Sequence, residues 1–169
     1  MKESIGGTQI FLIVIALVII FSGIMAFTIN HSNAFSVKDQ LVTVLENNGG
    51  MASGTELVNR EYEYLLNDSQ KTLLEMVEIL EYNSYRATGR CPESEGSNYV
   101  VTAYDRDGRT TVGSERSSFC IAKVKSAGVA SGTNQTYYYQ VIVFYSLDIP
   151  ILNELMNFKA VGETKPLYK

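Results

Sequence analysis

The stretch IFLIVIALVIIFSGIMAFTI, residues 10–29, contains no charged residue and decides how the rest of the chain is organised. At ~1.5 Å of rise per residue, a helix of this length covers about 30 Å, which is the thickness of the hydrocarbon core of a bilayer. The run is apolar on every side, so it has no face that suits water. It predicts a transmembrane helix over residues 10–29, preceded by a short N-terminal segment, residues 1–9.

Two other structures compete with this prediction. A wholly buried helix of a soluble protein is disfavoured, because buried core helices usually have shorter apolar runs. A cleaved secretory signal would have a basic N-terminal region, a shorter apolar core and a small residue on each side of the cleavage site. Lys2 is offset by Glu3 and the apolar run is long. Ser32-Asn33-Ala34 still fits a cleavage site, so the signal peptide stays open as an alternative.

The helical pattern continues past the apolar run, over residues 30–48. Apolar residues recur there three and four positions apart, which places them on one stripe: Ala34, Val37, Leu41, Val44 and Leu45. The other side of the same segment is polar. Gly49-Gly50 then gives a natural helix end. The sequence therefore predicts one helix of about forty residues, whose amphipathic second half packs on a domain.

Residues 53–169 have the length of one domain and begin with a second helical pattern. Ser53 and Glu56 have the spacing of a capping box, which predicts a helix start at Ser53. The apolar stripe that follows consists of Val58, Tyr62, Leu65, Leu73, Val77 and Leu80. Asn67-Asp68-Ser69 is expected to kink or split this helix, because such side chains compete for backbone hydrogen bonds. Gly89 is the expected stop.

The second part of the domain has the residue usage of β-strands. Runs rich in β-branched and aromatic residues, bounded by turn residues, occur at 98–104, 118–125, 136–147 and 158–168. Gly128 to Asn134 is expected to be a loop, and Leu152 to Met156 a short helical patch. In the third run, Tyr139, Val141 and Val143 alternate with residues that point the other way. Helices followed by strands predict an α+β fold with a small antiparallel sheet.

The sequence has two cysteines, Cys91 and Cys120. An even count in a domain exported past a membrane favours one disulfide, closing a loop of about thirty residues and contributing ~3 kcal/mol. Two reduced, buried thiols in a cytosolic domain are the alternative. A zinc site is disfavoured, because the chain has only these two cysteines and one histidine, His31, at the membrane boundary.

The chain carries no pattern of catalytic or cofactor-binding residues. The net charge of -4 argues against a nucleic acid as partner, because phosphate binding needs a clustered positive surface. No serine lies in a G-x-S-x-G turn. Asp105-Arg106-Asp107-Gly108 suggests calcium, but Ala103 and Ser114 stand where an EF-hand has ligands, so a tight turn with Gly108 at positive φ is favoured. The prediction is a non-enzymatic protein with no cofactor, metal or small-molecule substrate.

This order of parts resembles the type IV pilin superfamily, which has a long N-terminal helix, apolar and then amphipathic, followed by a small antiparallel sheet and often a disulfide. Within it, the chain looks most like the membrane-anchored pseudopilins of tight-adherence pilus systems. Pilin precursors are cleaved after a Gly and carry a Glu five residues later. Gly6 or Gly7 could be the glycine of the cleavage site, but Phe11 or Leu12 then stands where the family has its glutamate. No processing residue is therefore assigned to this chain from the resemblance.

The resemblance implies a structural component of a bacterial surface filament or secretion apparatus. Its partners would be the lipid bilayer and copies of itself or other subunits, with the domain outside the cytoplasm. We expect the helix to assemble through small residues in its first half and to hold the domain through its second half. These residues are Ala16, Ser22, Gly23 and Ala26, and then Val37, Leu41 and Leu45. The small residues lack a clear repeated spacing, so a membrane-tethered binding or sensor domain stays open as the alternative.

Overall fold

The computed structural model describes residues 2–57, 66–112, 115–125, 136–145 and 158–168. Its two helices are α1 (Lys2–Asn47) and α2 (Asp68–Tyr82). Its strands are β1 (Tyr99–Tyr104), β2 (Phe119–Lys125), β3 (Thr136–Tyr145), β4 (Phe158–Glu163) and β5 (Leu167–Tyr168). Helices first and an antiparallel sheet afterwards confirm the predicted α+β fold.

The long N-terminal helix is continuous over 46 residues, so the apolar and amphipathic halves join without a break. It ends where the sequence predicts. The Gly49 amide donates to the Glu46 carbonyl at 3.3 Å, and the Gly50 amide donates to the Leu45 carbonyl at 2.8 Å. Gly49 has a φ of +68°, a conformation that glycine adopts without steric cost. This is the usual way in which a helix C-terminus satisfies its last carbonyls.

The second helix begins later than predicted. Residues 53–57 are not helical, so the capping box at Ser53 is wrong. Glu56 does not reach back to the backbone, because its carboxylate accepts a hydrogen bond from the Thr110 hydroxyl. The residues predicted to continue this stripe, Val58, Tyr62 and Leu65, lie outside the described residues.

A different capping box starts α2. The Asn67 side chain accepts the Gln70 amide at 2.8 Å, and the Gln70 side chain accepts the Asn67 amide at 3.1 Å. Both bonds satisfy amides that the first turn of a helix leaves without partners. Asn67-Asp68-Ser69 therefore interrupts the helical pattern and begins a new helix, which agrees with the split expected there.

The end of α2 also differs from the prediction. The helix ends at Tyr82, well before Gly89. Ser84 has a φ of +49°, and the Tyr85 amide donates back to the Leu80 carbonyl at 2.9 Å. This is the same closing motif that ends α1, here with serine at the position that glycine usually occupies.

Gly89 has a tertiary role instead. Its amide and carbonyl exchange two hydrogen bonds with the backbone of Ser117, at 2.9 and 2.8 Å. A Cβ at this position would lie 2.2 Å from Cδ1 of Phe144, so only glycine fits between the two neighbours.

The sheet has the order β1-β2-β3-β4, antiparallel throughout, and β5 pairs with β3 on the same side as β4. The predicted strand 158–168 is thus one edge strand with an interruption. At the interruption the Tyr139 amide donates to the Thr164 hydroxyl at 3.0 Å, and the Thr164 amide donates to the Tyr139 carbonyl at 2.9 Å. Pro166, which follows, has no amide to offer a ladder.

The main core lies between α1, α2 and one face of the sheet. As predicted, Tyr139, Val141 and Val143 of β3 point into it. A second, small cluster on the opposite face contains Cys120, Ile142 and Phe144. The loop and the helical patch predicted at 128–134 and 152–156 lie outside the described residues.

Cys91 and Cys120 form the predicted disulfide, with a Cα–Cα distance of 5.8 Å. Cys120 is fully buried in β2, opposite Ile142 of β3. The bond therefore ties the chain segment after α2 to the centre of the sheet.

Replacing both Cys91 and Cys120 by serine is expected to lower the free energy of unfolding by about 3 kcal/mol, because the unfolded chain regains the freedom of that loop. Denaturant unfolding of the detergent-solubilised protein, with and without reductant, measures this. Reductant should destabilise the wild type and leave the double variant unchanged. Equal stability of oxidised and reduced wild type would contradict the prediction.

Candidate assembly and membrane site

The first half of α1 is an exposed apolar surface. Its fourteen exposed large apolar side chains, from Ile10 to Ile29, are each between 40% and 71% accessible. Soluble monomers rarely expose a continuous apolar surface of this extent. The helix is long and apolar enough to cross a bilayer, which is compatible with a single-pass membrane anchor.

Two hydroxyl groups within this apolar half are satisfied by the helix itself. Ser22 donates to the Val18 carbonyl at 2.8 Å, and Thr28 donates to the Ile24 carbonyl at 2.9 Å. A hydroxyl without a partner would be costly in hydrocarbon. With these bonds in place, the two residues fit a lipid environment.

The second half of α1 is buried against the domain. Ala34, Val37, Leu41 and Leu45 are fully buried and Val44 is 4% exposed. They belong to the main core, together with residues of α2 and the sheet. The predicted stripe is confirmed, including the three residues expected to hold the helix to the sheet.

The C-terminal end of α1 is attached to β3 and to the edge strand. The Tyr139 hydroxyl donates to the Met51 carbonyl at 2.8 Å. A Cβ on Gly50 would lie 2.5 Å from Cε2 of the Tyr139 ring, so the backbone passes directly over this ring. The Lys165 amide, where the edge strand is interrupted, donates to the Glu46 carboxylate at 2.8 Å.

The middle of α1 is attached through five rings, which we call the aromatic cluster: Phe27, His31 and Phe35 of α1, Tyr145 of β3 and Phe158 of β4. The ring centroid of Phe27 lies 6.2 Å from that of Tyr145 and 5.6 Å from that of Phe158. His31 lies 5.5 Å from Tyr145, and Tyr145 stacks on Phe158 at 5.3 Å. Aromatic pairs contribute about 0.5–1.5 kcal/mol beyond the area that they bury. The cluster therefore fixes the helix where its exposed half meets its buried half.

The sequence contained a signal for this cluster that composition and charge did not reveal. Phe27, His31 and Phe35 are spaced four residues apart, which places their rings on one side of a helix. The two sheet residues that complete the cluster depend on the register of β3 with β4, in which Tyr145 lies opposite Phe158. That register depends on pairing between segments far apart in the sequence, so the spacing along α1 could not predict it.

The four small residues predicted to mediate helix assembly do not share one environment. Gly23 and Ala26 are half-buried and lie on the side of α1 that carries Phe27. Ala16 and Ser22 are exposed. A neighbouring helix therefore has free access to Ala16 and Ser22, whereas access to Gly23 and Ala26 is reduced by the chain itself.

Among the residues of the domain that the structure describes, the titratable groups with displaced pKa values are tyrosines. Burial, and secondarily the phenol of Tyr145, raises the pKa of Tyr85, whose hydroxyl donates to the Phe144 carbonyl. Burial also raises the pKa of Tyr104. Both side chains stay neutral. Tyr85 serves through its hydrogen bond, and Tyr104 serves through packing, since its ring stacks on that of Phe119 at 5.0 Å.

Among the described residues, no group of three or more His, Cys, Asp or Glu side chains is placed to hold a metal ion. In the segment that suggested calcium, an Asp105 carboxylate oxygen accepts the amides of Asp107 and Arg109, at 2.9 and 2.8 Å. Gly108 has a φ of +78°, as the turn prediction requires. The carboxylate thus stabilises a turn.

Comparison of the chain with protein families, with characterised proteins and with solved structures gives no match.

Replacing Leu41 by alanine is expected to lower the free energy of unfolding by about 2–5 kcal/mol, because a fully buried side chain leaves a cavity. The matched control is Leu12→Ala, at a position that is 60% exposed on the same helix. The control should change domain stability by less than about 0.5 kcal/mol. Denaturant unfolding in detergent compares the two, and equal effects would contradict the division of α1 into an exposed and a buried half.

Proposed function

We propose that this chain is a pilin-like or pseudopilin-like structural subunit of a bacterial surface filament or secretion apparatus, which assembles through its N-terminal helix. The observation that carries the proposal is the continuity of α1, whose exposed apolar half runs into a buried half without a linker. Its partners are the bilayer, and then copies of itself or other subunits of the apparatus. This role needs no catalytic residue and no cofactor.

The exposed half of α1 suits both environments that such a subunit occupies. In the bilayer its side chains contact lipid tails. In a filament core they would contact the same kind of side chains on neighbouring helices. Lipid tails and apolar side chains are similarly apolar, so the exchange has little hydrophobic cost, and packing then decides which state is favoured.

The buried half of α1 explains how the domain would follow its helix during assembly. The stripe around Leu41, the aromatic cluster and the Tyr139–Met51 hydrogen bond hold α1 at three levels along its length. A domain that needed only an anchor would tolerate a flexible polar linker after its span. This chain has a rigid connection at that place.

A position outside the cytoplasm is part of the proposal. The Cys91–Cys120 bond supports it, because disulfides persist in oxidising compartments and are rare in the cytosol.

One observation favours a second candidate, a membrane-tethered binding or sensor domain. A groove of about 410 Å³ lies between α1 and α2, with Asp39, Gln40 and Glu75 in its lining. In that case the apolar half of α1 would serve as an anchor only, and its neighbours in the membrane would be lipids.

Replacing Ser36 by proline is expected to abolish assembly. Proline removes an amide from the helix interior and collides with the preceding turn, which costs about 3 kcal/mol and kinks the helix. Ser36 is exposed, so the change removes no buried side chain. Electron microscopy of surface filaments, or a secretion assay, in cells that carry the variant measures the effect.

The matched control is Ser36→Ala, which removes the hydroxyl and keeps the helix. It should assemble like the wild type. Denaturant unfolding shows whether the proline variant keeps its folded domain. A proline variant that is folded, inserted in the membrane and still assembles would contradict the requirement for a continuous α1. A wild-type chain that stays monomeric in membranes, and whose deletion leaves filaments and secretion unchanged, would contradict the proposal and leave the tethered domain in its place.

A further inference from the structure

We propose that the aromatic cluster is a second membrane contact, through which one end of the sheet rests against lipid at the headgroup level of the bilayer. This inference goes beyond the assembly function. It needs only that α1 crosses the membrane, and it concerns the subunit while it resides there.

The depth of the cluster follows from the helix. Phe27 precedes Ile29, the last residue of the uncharged run, by two positions, which is about 3 Å along the axis. If residues 10–29 fill the hydrocarbon core, Phe27 lies just inside its boundary. The rings of Tyr145 and Phe158 contact the ring of Phe27 at 6.2 and 5.6 Å. Because the helix is rigid, the ends of β3 and β4 are held at this boundary as well.

The chemistry along the cluster follows the polarity of a bilayer surface. On α1, Phe27 is purely apolar and lies deepest, and the ring of Phe158 contacts it at 5.6 Å. His31, one turn further along α1, and Tyr145, opposite Phe158, carry polar atoms on aromatic rings. Tyrosine is enriched at membrane interfaces for this reason. One turn further lies Phe35, which is 37% exposed, with the Lys38 ammonium 4.8 Å from the centre of its ring. The same ammonium pairs with the Asp39 carboxylate at 2.8 Å, so charged groups stand on the water side of the apolar rings.

The cluster is also long enough to cross the headgroup region of the bilayer. Phe27 and Phe35 are eight residues apart, which corresponds to about 12 Å of helix. The headgroup region on one side of a bilayer is about 5–8 Å thick. The rings thus extend from the edge of the hydrocarbon, through the headgroups, to the water.

Lipid is the occupant that the structure favours, because the cluster is continuous with the exposed apolar half of α1 and lies at the level where that half leaves the membrane. The contact would fix the orientation of the domain on the membrane surface. Together with α1, it gives the subunit two points of attachment in place of one.

The absence of tryptophan from the sequence allows a direct test. Full-length protein with a single tryptophan is reconstituted into vesicles of phosphatidylcholine brominated near the start or near the end of its acyl chains, and fluorescence quenching is recorded. Tyr145→Trp reports on the cluster. Tyr137→Trp is the matched control, on the same face of β3 and eight residues away, about 26 Å along the strand. Phe21→Trp, at a 60% exposed position within the apolar run, reports on the span.

The expected result is loss of Tyr145→Trp emission, greater with shallow than with deep bromine, and none for Tyr137→Trp. Quenching of Phe21→Trp without quenching of Tyr145→Trp would overturn this inference and leave the assembly function untouched. Quenching of neither would overturn the membrane placement of α1 and this inference with it. Protection of Tyr145→Trp from both bromolipid and aqueous iodide would mean that protein covers the cluster, which also overturns the inference.

Discussion

The packing of the amphipathic half of α1 on β3 is the interaction on which the rest of the structure depends. β3 is the central strand of the sheet, with β2 on one side and β4 and β5 on the other. Its inward side chains, among them Val141 and Val143, are buried under the stripe that contains Leu41. Without the helix, this face of the sheet would be open to water, and a small sheet with an uncovered apolar face is only marginally stable. The helix is therefore a structural part of the domain, and its apolar half is compatible with a membrane anchor.

Because both halves belong to one helix, the position of the apolar half is coupled to the position of the sheet. The apolar half has no favourable contact with water and must find lipid or other helices. The buried half cannot leave the sheet without exposing the core. Any displacement of the apolar half is therefore transmitted to the sheet through side-chain packing, the aromatic cluster and the Tyr139 hydrogen bond. The proposed assembly through α1 would need this coupling.

Long periodic segments made much of this architecture predictable from the sequence. The part of α1 from residue 10 onward, its end at Gly49-Gly50 and the two faces of β3 follow from hydrophobic spacing and from glycine, whereas the helical start at Lys2 does not. The Cys91–Cys120 pairing follows from there being two cysteines.

The start of α2 was not predictable in the same way, because two capping patterns compete in the sequence. Glu56 and Gln70 each complete one pattern. Gln70 caps α2, whereas the Glu56 carboxylate makes a tertiary contact with Thr110 that the local sequence does not reveal. Gly89 is a second example. Glycine is required there because the ring of Phe144, which is distant in sequence, leaves no room for a Cβ.

Assembly through α1 is tested most directly by the arrangement of its apolar half in native membranes. Both native cysteines are in the disulfide, so a single cysteine introduced at successive positions from Leu12 to Met25 is the only free thiol. Oxidative cross-linking then measures which positions meet the same position of a neighbouring subunit. Assembly through α1 predicts dimers at positions that recur every three to four residues, on one face of the helix. Uniformly weak cross-linking at all positions would mean that the helix is surrounded by lipid alone, and would contradict an assembly role.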